Sequence, residues 1–245
     1  MGFRGCSSLP LFFVIAWSFQ AAGALPHEEL FSNTLPEASE FYARLEKSVR
    51  AKVHTPTRQK KLEGLFAVYQ KRFIIPFATK YSWGIPTSEA IAEMASYSPI
   101  VEIGAGNGYW AHLLRKGGVQ ITAFDNFSLN FNDENKFREF WSNVLPGNEK
   151  SVLEHQDKTL FLCWPQDNNS MAADILSLYE GQYLIYLGEA RGGATANEDF
   201  FDQLEKDFIL TKSIKVPNWP GYSDRLNFYK RKRRQEKVLE HSTVN

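Results

Sequence analysis

The chain has 245 residues, 43% of them hydrophobic and 14% aromatic, which is enough for one sizeable core without requiring a second domain. Its 28 basic and 28 acidic residues cancel, so nothing in the global charge points to nucleic acid or to a strongly acidic partner. Once a leader peptide is set aside, the two cysteines leave a single thiol, which excludes a disulfide framework within one chain.

Residues 1–24 read as a cleaved signal peptide. Arg4 gives a positive start, Leu9 to Phe19 is a short apolar run, and Ala22-Gly23-Ala24 is a small-x-small cleavage pattern. The run is shorter than the roughly 20 apolar residues of a spanning helix, and no later segment is apolar enough to cross a membrane. The expected destination is the secretory pathway or the exterior. The alternative is an organelle reached by a bipartite signal.

Residues 25–36, with two prolines and little periodicity, read as a flexible leader. Helical periodicity begins at Glu37, with Phe41, Leu45 and Val49 on one face. Thr55-Pro56 then caps a second helix carrying Leu62, Leu65, Phe66, Tyr69 and Phe73. These N-terminal helices, 37–80, are expected to pack on a core domain spanning 81–232, leaving 233–245 as a polar tail.

Within that domain, Thr87 or Ser88 caps a helix bearing Ile91, Met94 and Ala95. Strands and helices alternate from there. Ile100–Ile103 reads as a buried first strand, and Trp110, Leu113 and Leu114 mark the helix after it. Val119–Phe124 is the second strand. A helix from Asp133 is expected to carry Phe137, Phe140, Trp141 and Val144. Further strands are expected at Val152–Glu154, Thr159–Cys163 and Tyr183–Leu187, with helices at Met171–Tyr179 and from the cap Asn197. Ile209–Val216 and Arg225–Lys230 form a final strand pair with no helix between. The alternation predicts a mostly parallel seven-stranded sheet with one antiparallel strand and helices on both faces. Ligands of such sheets bind at the carboxyl ends of the strands.

The strongest chemical signal is Glu102-x-Gly104-x-Gly106-x-Gly108 in the stretch VEIGAGNGYW. Alternating glycines directly after a strand allow a tight turn and bring a ligand close to main-chain N–H groups. A dinucleotide-binding turn wants G-x-G-x-x-G or a terminal Ala, and here that last position is Tyr109. The second signal is Asp125, at the end of the second strand, where a carboxylate can accept both hydroxyls of a ribose. Asn126 beside it also suits a turn. The third signal is Cys163-Trp164-Pro165-Gln166, at the end of the strand Thr159–Cys163. Cys163 itself reads as a buried small hydrophobe.

Glu102-x-Gly104-x-Gly106-x-Gly108 resembles motif I of the class I S-adenosylmethionine-dependent methyltransferases. The order IPTSEA, VEIGAGNGYW, FDN, LFLCWP, YLGE and VPNWPGYSDRLNFYKR is similar to a little-described eukaryotic group of methyltransferase-like proteins, from Tyr81 to Arg231. The resemblance implies a Rossmann-like methyltransferase fold with S-adenosylmethionine as cofactor. It places Glu102, Gly104, Ala105, Gly106, Asn107 and Gly108 around the methionine part, and Asp125 and Asn126 at the ribose. It sets Trp164 and Pro165 beside the methyl acceptor. Amino-methylating members carry an Asn/Asp-Pro-Pro-aromatic motif at that position; here Cys163 replaces the polar residue, which leaves the acceptor atom open to oxygen or nitrogen. Glu189 is a further acceptor-side candidate, although a surface loop charge is the favoured reading.

A non-catalytic binding protein that keeps the fold, with or without the cofactor, is the alternative to an enzyme. The acceptor, small molecule or protein, is not named by the sequence, and neither is the oligomeric state. Asn126-Phe127-Ser128 and Asn168-Asn169-Ser170 are glycosylation sequons, and a glycan on Asn126 excludes a cofactor beside it. His112 and His155 have no partners at metal-ligand spacing, so no metal is expected. Lys230–Arg234 reads as a solvated chain end rather than a nucleic-acid contact.

Overall fold

The computed structural model describes residues 24–50, 55–128 and 139–233. Residues 1–23, which hold nearly all of the expected signal peptide, lie outside the described residues, as does most of the expected polar tail.

Helix α1 (Glu28–Arg50) begins earlier than the sequence pattern suggests. Residues 28–36 are its first turns and not a flexible leader. His27 and Phe31 are buried, and Glu28 and Glu29 sit in the first turn, where the helix dipole favours acids. Pro36 lies inside the helix, and burial of Phe31, Ala38 and Leu45 along one face outweighs the donor it lacks. Helix α2 (Pro56–Tyr69) starts on its proline, passes through a π-helical turn at Gln70–Ile74, and continues as α3 (Ile75–Lys80). Helix α4 (Ser88–Ala95) is capped by Thr87, whose hydroxyl accepts from the Ala90 N–H.

The sheet is built from β1 (Ile100–Ile103), β2 (Ile121–Asp125), β3 (Leu145–Pro146), β4 (Thr159–Cys163), β5 (Tyr183–Gly188), β6 (Phe208–Lys215) and β7 (Arg225–Arg231). Its order is β3-β2-β1-β4-β5-β7-β6. Every contact among the first five strands is parallel, and β7 runs antiparallel to both β5 and β6. This is the expected mostly parallel sheet with one antiparallel strand. Helices α5 (Tyr109–Lys116), α6 (Met171–Leu178) and α7 (Glu198–Asp207) complete the crossovers.

The two-residue strand period divides the core. Ile100, Phe161, Ile185 and Leu187 face α1, α3, α4 and α5, whereas Val101, Ile103, Leu160, Leu162, Leu184 and Tyr186 face α6 and α7. Glu102 therefore projects to the same side as Ile100.

Two expected elements differ. Val152–Glu154 is not a strand: it belongs to a 3₁₀ helix, Glu149–His155, opened by a capping box between Asn148 and Ser151. That local capping outcompetes the strand preference of Val152, and the third strand is instead Leu145–Pro146. Phe140, Trp141 and Val144 are not helical either. The Trp141 N–H donates to the Asn107 carbonyl and its indole to Lys80 O at 2.6 Å, which ties the segment down in an irregular path. The earlier part of that expected helix, 133–138, lies outside the described residues. Among the described residues, no helix is long and apolar enough to cross a membrane.

Candidate functional site

A cavity of about 410 Å³ opens at the carboxyl ends of β1, β2 and β4, where the connections from β1 and β4 leave on opposite faces of the sheet. Volumes of roughly 300–1,000 Å³ suit small molecules and cofactors. Its walls hold Glu102, Gly104, Ala105, Gly106, Asn107, Asp125, Asn126, Trp164 and Pro165. Sequence reasoning named all of these, and the fold gathers them. Glu189 and Gly108 are not in the lining.

The glycine turn is built for close approach. Gly106 has φ +56° and Gly108 φ +77°, a region L side chains rarely adopt. The Gly104 and Ala105 N–H groups both donate to the Phe124 carbonyl, at 2.8 and 2.9 Å, stitching the turn to the end of β2. Asp125 continues that seam: Oδ2 accepts from the Gly106 N–H at 2.8 Å and Oδ1 from the Phe127 N–H at 2.6 Å. Burial lifts the Asp125 carboxyl above its ordinary value, and these two backbone donors pull it partly back. Each oxygen keeps a lone pair for a ligand hydroxyl.

Asn107 is spent on structure. Its amide donates to Lys80 O at 3.0 Å and its carbonyl accepts from the Tyr109 N–H, which locks the turn to the end of α3. The Tyr109 hydroxyl in turn meets His27 Nδ1 at 2.8 Å, while His27 Nε2 donates to Pro86 O at 3.0 Å. The start of α5 is thus clamped from the N-terminal segment.

Glu102 is the most unusual group here. It is 1% exposed, and its Oε2 has no hydrogen-bond partner. Burial, with Asp125 nearby, pushes its carboxyl up to about 8. A buried acceptor left open at a cavity wall is the kind of group a ligand donor satisfies.

At the end of β4, desolvation pushes the thiol of the half-buried Cys163 well up, so it is a neutral group and not a nucleophile. Trp164 has φ +53°, a strained conformation for a bulky residue. Its indole stacks on Trp83, with centroids 4.8 Å apart and planes at 19°. Its Nε1–H donates to both oxygens of Asp224 at 3.1 Å.

Sequence reasoning missed Asp224. It is 5% exposed, and burial lifts its carboxyl to about 7. It precedes an antiparallel strand, whose start falls beside the carboxyl ends of the parallel ones, and no local motif marks it. Trp83, Asn148, Glu149, Asn169, Ser170, Met171 and Asp174 also line the cavity.

Glu189 is a brace. Oε2 accepts from the Ala194 N–H at 2.8 Å, and Oε1 from the Ser223 N–H at 2.7 Å and its hydroxyl at 3.1 Å. It is buried, neither a surface loop charge nor exposed to the cavity. His112 packs on Trp141 and His155 on Phe124. No cluster able to hold a metal occurs among the described residues.

The strand order and the cavity at its switch point decide the fold. It is a Rossmann-like fold with one antiparallel strand. No family model and no curated protein matches the chain. Among solved structures, the chain is similar to magnesium protoporphyrin IX methyltransferase from Synechocystis PCC 6803 with bound SAM, at 10% identity over 87% of this chain and 100% of that one, TM-score 0.39. It is similar to the mitomycin 7-O-methyltransferase MmcR, at 16% identity over 78% of this chain and 67% of that one, TM-score 0.38. A third likeness is to the glycopeptide N-methyltransferase MtfA complexed with S-adenosylhomocysteine, at 10% identity over 61% of this chain and 100% of that one, TM-score 0.37. Overlaps this loose carry no weight for ligand or reaction, which rest on the site itself.

Proposed function

We propose that the chain is an S-adenosylmethionine-dependent methyltransferase that moves the methyl group in line to a positioned oxygen or nitrogen. The observation that carries this reading is the unpartnered Glu102 Oε2, buried in the wall of the cavity that Gly104, Gly106 and Asp125 also line. A ligand with an ammonium group at one end and a ribose further along satisfies both carboxylates at once. The cofactor, when bound, supplies an electrophilic methyl on a sulfonium. The chain's part is to grip, orient and exclude water: Glu102 takes the amine, Asp125 the ribose hydroxyls, and the glycine turn admits the cofactor backbone.

A non-catalytic binder is the second reading, and the end of β4 favours it. The Cys163 thiol is neutral, Pro165 is apolar, and the Trp164 indole N–H is already committed to Asp224. In-line transfer needs alignment more than a base, so these residues do not exclude an enzyme.

Calorimetric titration of the full chain with S-adenosylhomocysteine tests the shared part. Binding that weakens at least ~100-fold in Asp125→Ala supports it, from loss of charge-assisted hydrogen bonds of about 1.5–3 kcal/mol each. No binding sinks both readings. Transfer of labelled methyl to an acceptor then separates enzyme from binder.

The apolar leader and Ala22-Gly23-Ala24 support entry into the secretory pathway. Asn126 is exposed and lines the cavity, so on this reading its sequon stays unmodified. Mass spectrometry of secreted protein checks both the cleavage after Ala24 and the bare Asn126.

A further inference from the structure

The lining has a marked charge bias. It includes the acidic side chains of Glu102, Asp125, Glu149 and Asp174, of which Glu102 keeps its proton at neutral pH, and, among the described residues, no Lys, Arg or His. An anionic acceptor entering this cavity would lose its water, meet no counter-charge and approach carboxylates, a combination that disfavours it. A cationic or amine-bearing acceptor meets the opposite situation.

The wall at the carboxyl end of β4 suits such a group. Trp83 and Trp164 both line the cavity and are only partly buried. Indoles present the most electron-rich faces of the natural side chains to a cation. Asp224, accepting from Trp164 Nε1–H with both oxygens, pushes electron density toward the ring and fixes its orientation. The Tyr222 ring flanks it at 5.7 Å. The left-handed backbone at Trp164 adds an independent sign. A bulky residue persists at φ +53° only where its surroundings over-determine it, and here the Trp164 N–H donates to Leu187 O at 2.7 Å while Pro165 O accepts from Ala196 at 2.8 Å. Strain held in a cavity wall points to a side chain whose aim matters.

We infer that Trp83 and Trp164, with Asp224 behind them, form the acceptor subsite for an amine-bearing substrate, so that the atom methylated is nitrogen. This rests on the cofactor reading above. The amine sheds one proton to solvent before reacting. Its lone pair then forms the N–C bond as the C–S bond breaks, the bonding pair stays on sulfur, and the positive charge passes from sulfur to nitrogen.

The test uses the full chain saturated with S-adenosylhomocysteine, so that the cofactor side is filled. Benzyltrimethylammonium, its carbon isostere neopentylbenzene and benzenesulfonate are titrated in turn, with tryptophan fluorescence and calorimetry as readouts. The expected order is cation over isostere by ~10-fold, with the anion weakest, as a desolvated cation–π contact requires. Trp164→Leu should cut that preference below ~2-fold. Asp224→Asn keeps an acceptor for the indole N–H, removes the charge, and should cut it by ~3-fold. If Trp164→Leu fails to fold, the wild-type panel and Asp224→Asn decide. Equal or tighter binding of the isostere or the anion overturns the inference, as does a cation that competes with S-adenosylhomocysteine. Failure of S-adenosylhomocysteine itself to bind overturns the cofactor reading and this inference with it; cofactor binding without cation preference overturns this inference alone.

Discussion

Replacing Glu102 with glutamine isolates one buried ionisation and measures what it costs. Ionisation of Glu102 shifts from an ordinary 4.5 to about 8 in the fold, chiefly through burial. At about 1.4 kcal/mol per pH unit, that gap amounts to an upper bound of about 5 kcal/mol. The sign follows from proton counts. Below pH 4.5 both folded and unfolded chains hold the proton, so nothing is lost. Between 4.5 and about 8 the unfolded chain releases it and the folded chain keeps it, so stability falls as pH rises. Above that window the penalty is constant. Glutamine cannot ionise. Glu102→Gln should therefore lose this slope, and its stability relative to wild type should rise by about 1 kcal/mol or more for each pH unit from 5 to 8. The new amide needs a partner, which adds a constant offset of about 1–3 kcal/mol, so the slope is the quantity to read. Asp224, lifted by burial to about 7, titrates in the same range but is common to both proteins and cancels in the difference. Urea unfolding at pH 5, 6, 7 and 8 supplies the values. Parallel curves for the two proteins would refute the reasoning. A ligand ammonium beside Glu102 should also expel its proton, so the heat of S-adenosylhomocysteine binding at pH 7 should depend on the buffer in wild type and not in the variant.

Gly108→Ala should destabilise by roughly 2–4 kcal/mol, because φ is +77° there and a new Cβ would lie 2.7 Å from Val144 Cγ2; thermal unfolding measures it, and a neutral result would mean that the turn adopts another path. Glu189→Ala should cost about 3 kcal/mol by stranding the Ala194 and Ser223 N–H groups, while S-adenosylhomocysteine affinity stays within about threefold. A variant of normal stability that no longer binds S-adenosylhomocysteine would refute the bracing role and place Glu189 in the cofactor site.

Strands were legible because burial on both faces leaves apolar runs, and Thr159–Cys163 falls on β4 residue for residue. The glycine turn and Asp125 were legible because their chemistry is local: a strand, a turn, and an acid one strand over. What escaped depends on distance or competition. Pro36 falls in a stretch that reads as a flexible leader, yet Phe31 packs 5.0 Å from Trp219 and that tertiary burial carries the helix through the proline. Val152 reads as strand until the Asn148–Ser151 caps are weighed. Trp164 is visible in the sequence, but its stacking on Trp83 and its bond to Asp224 join three separate connections. Nothing local to any of them announces the pairing.

The clamp of His27 on Tyr109, together with Phe31 against Trp219, has a consequence for how the chain assembles at the ribosome. Helix α1 meets α2 and α3 early, through Phe31 on Phe77 and Phe41 on Tyr69 and Phe73, but its apolar stripe is completed only by Trp219, after almost all of the sheet is made. Local docking covers the helix in part during synthesis, and its closing contact is among the last that the chain makes.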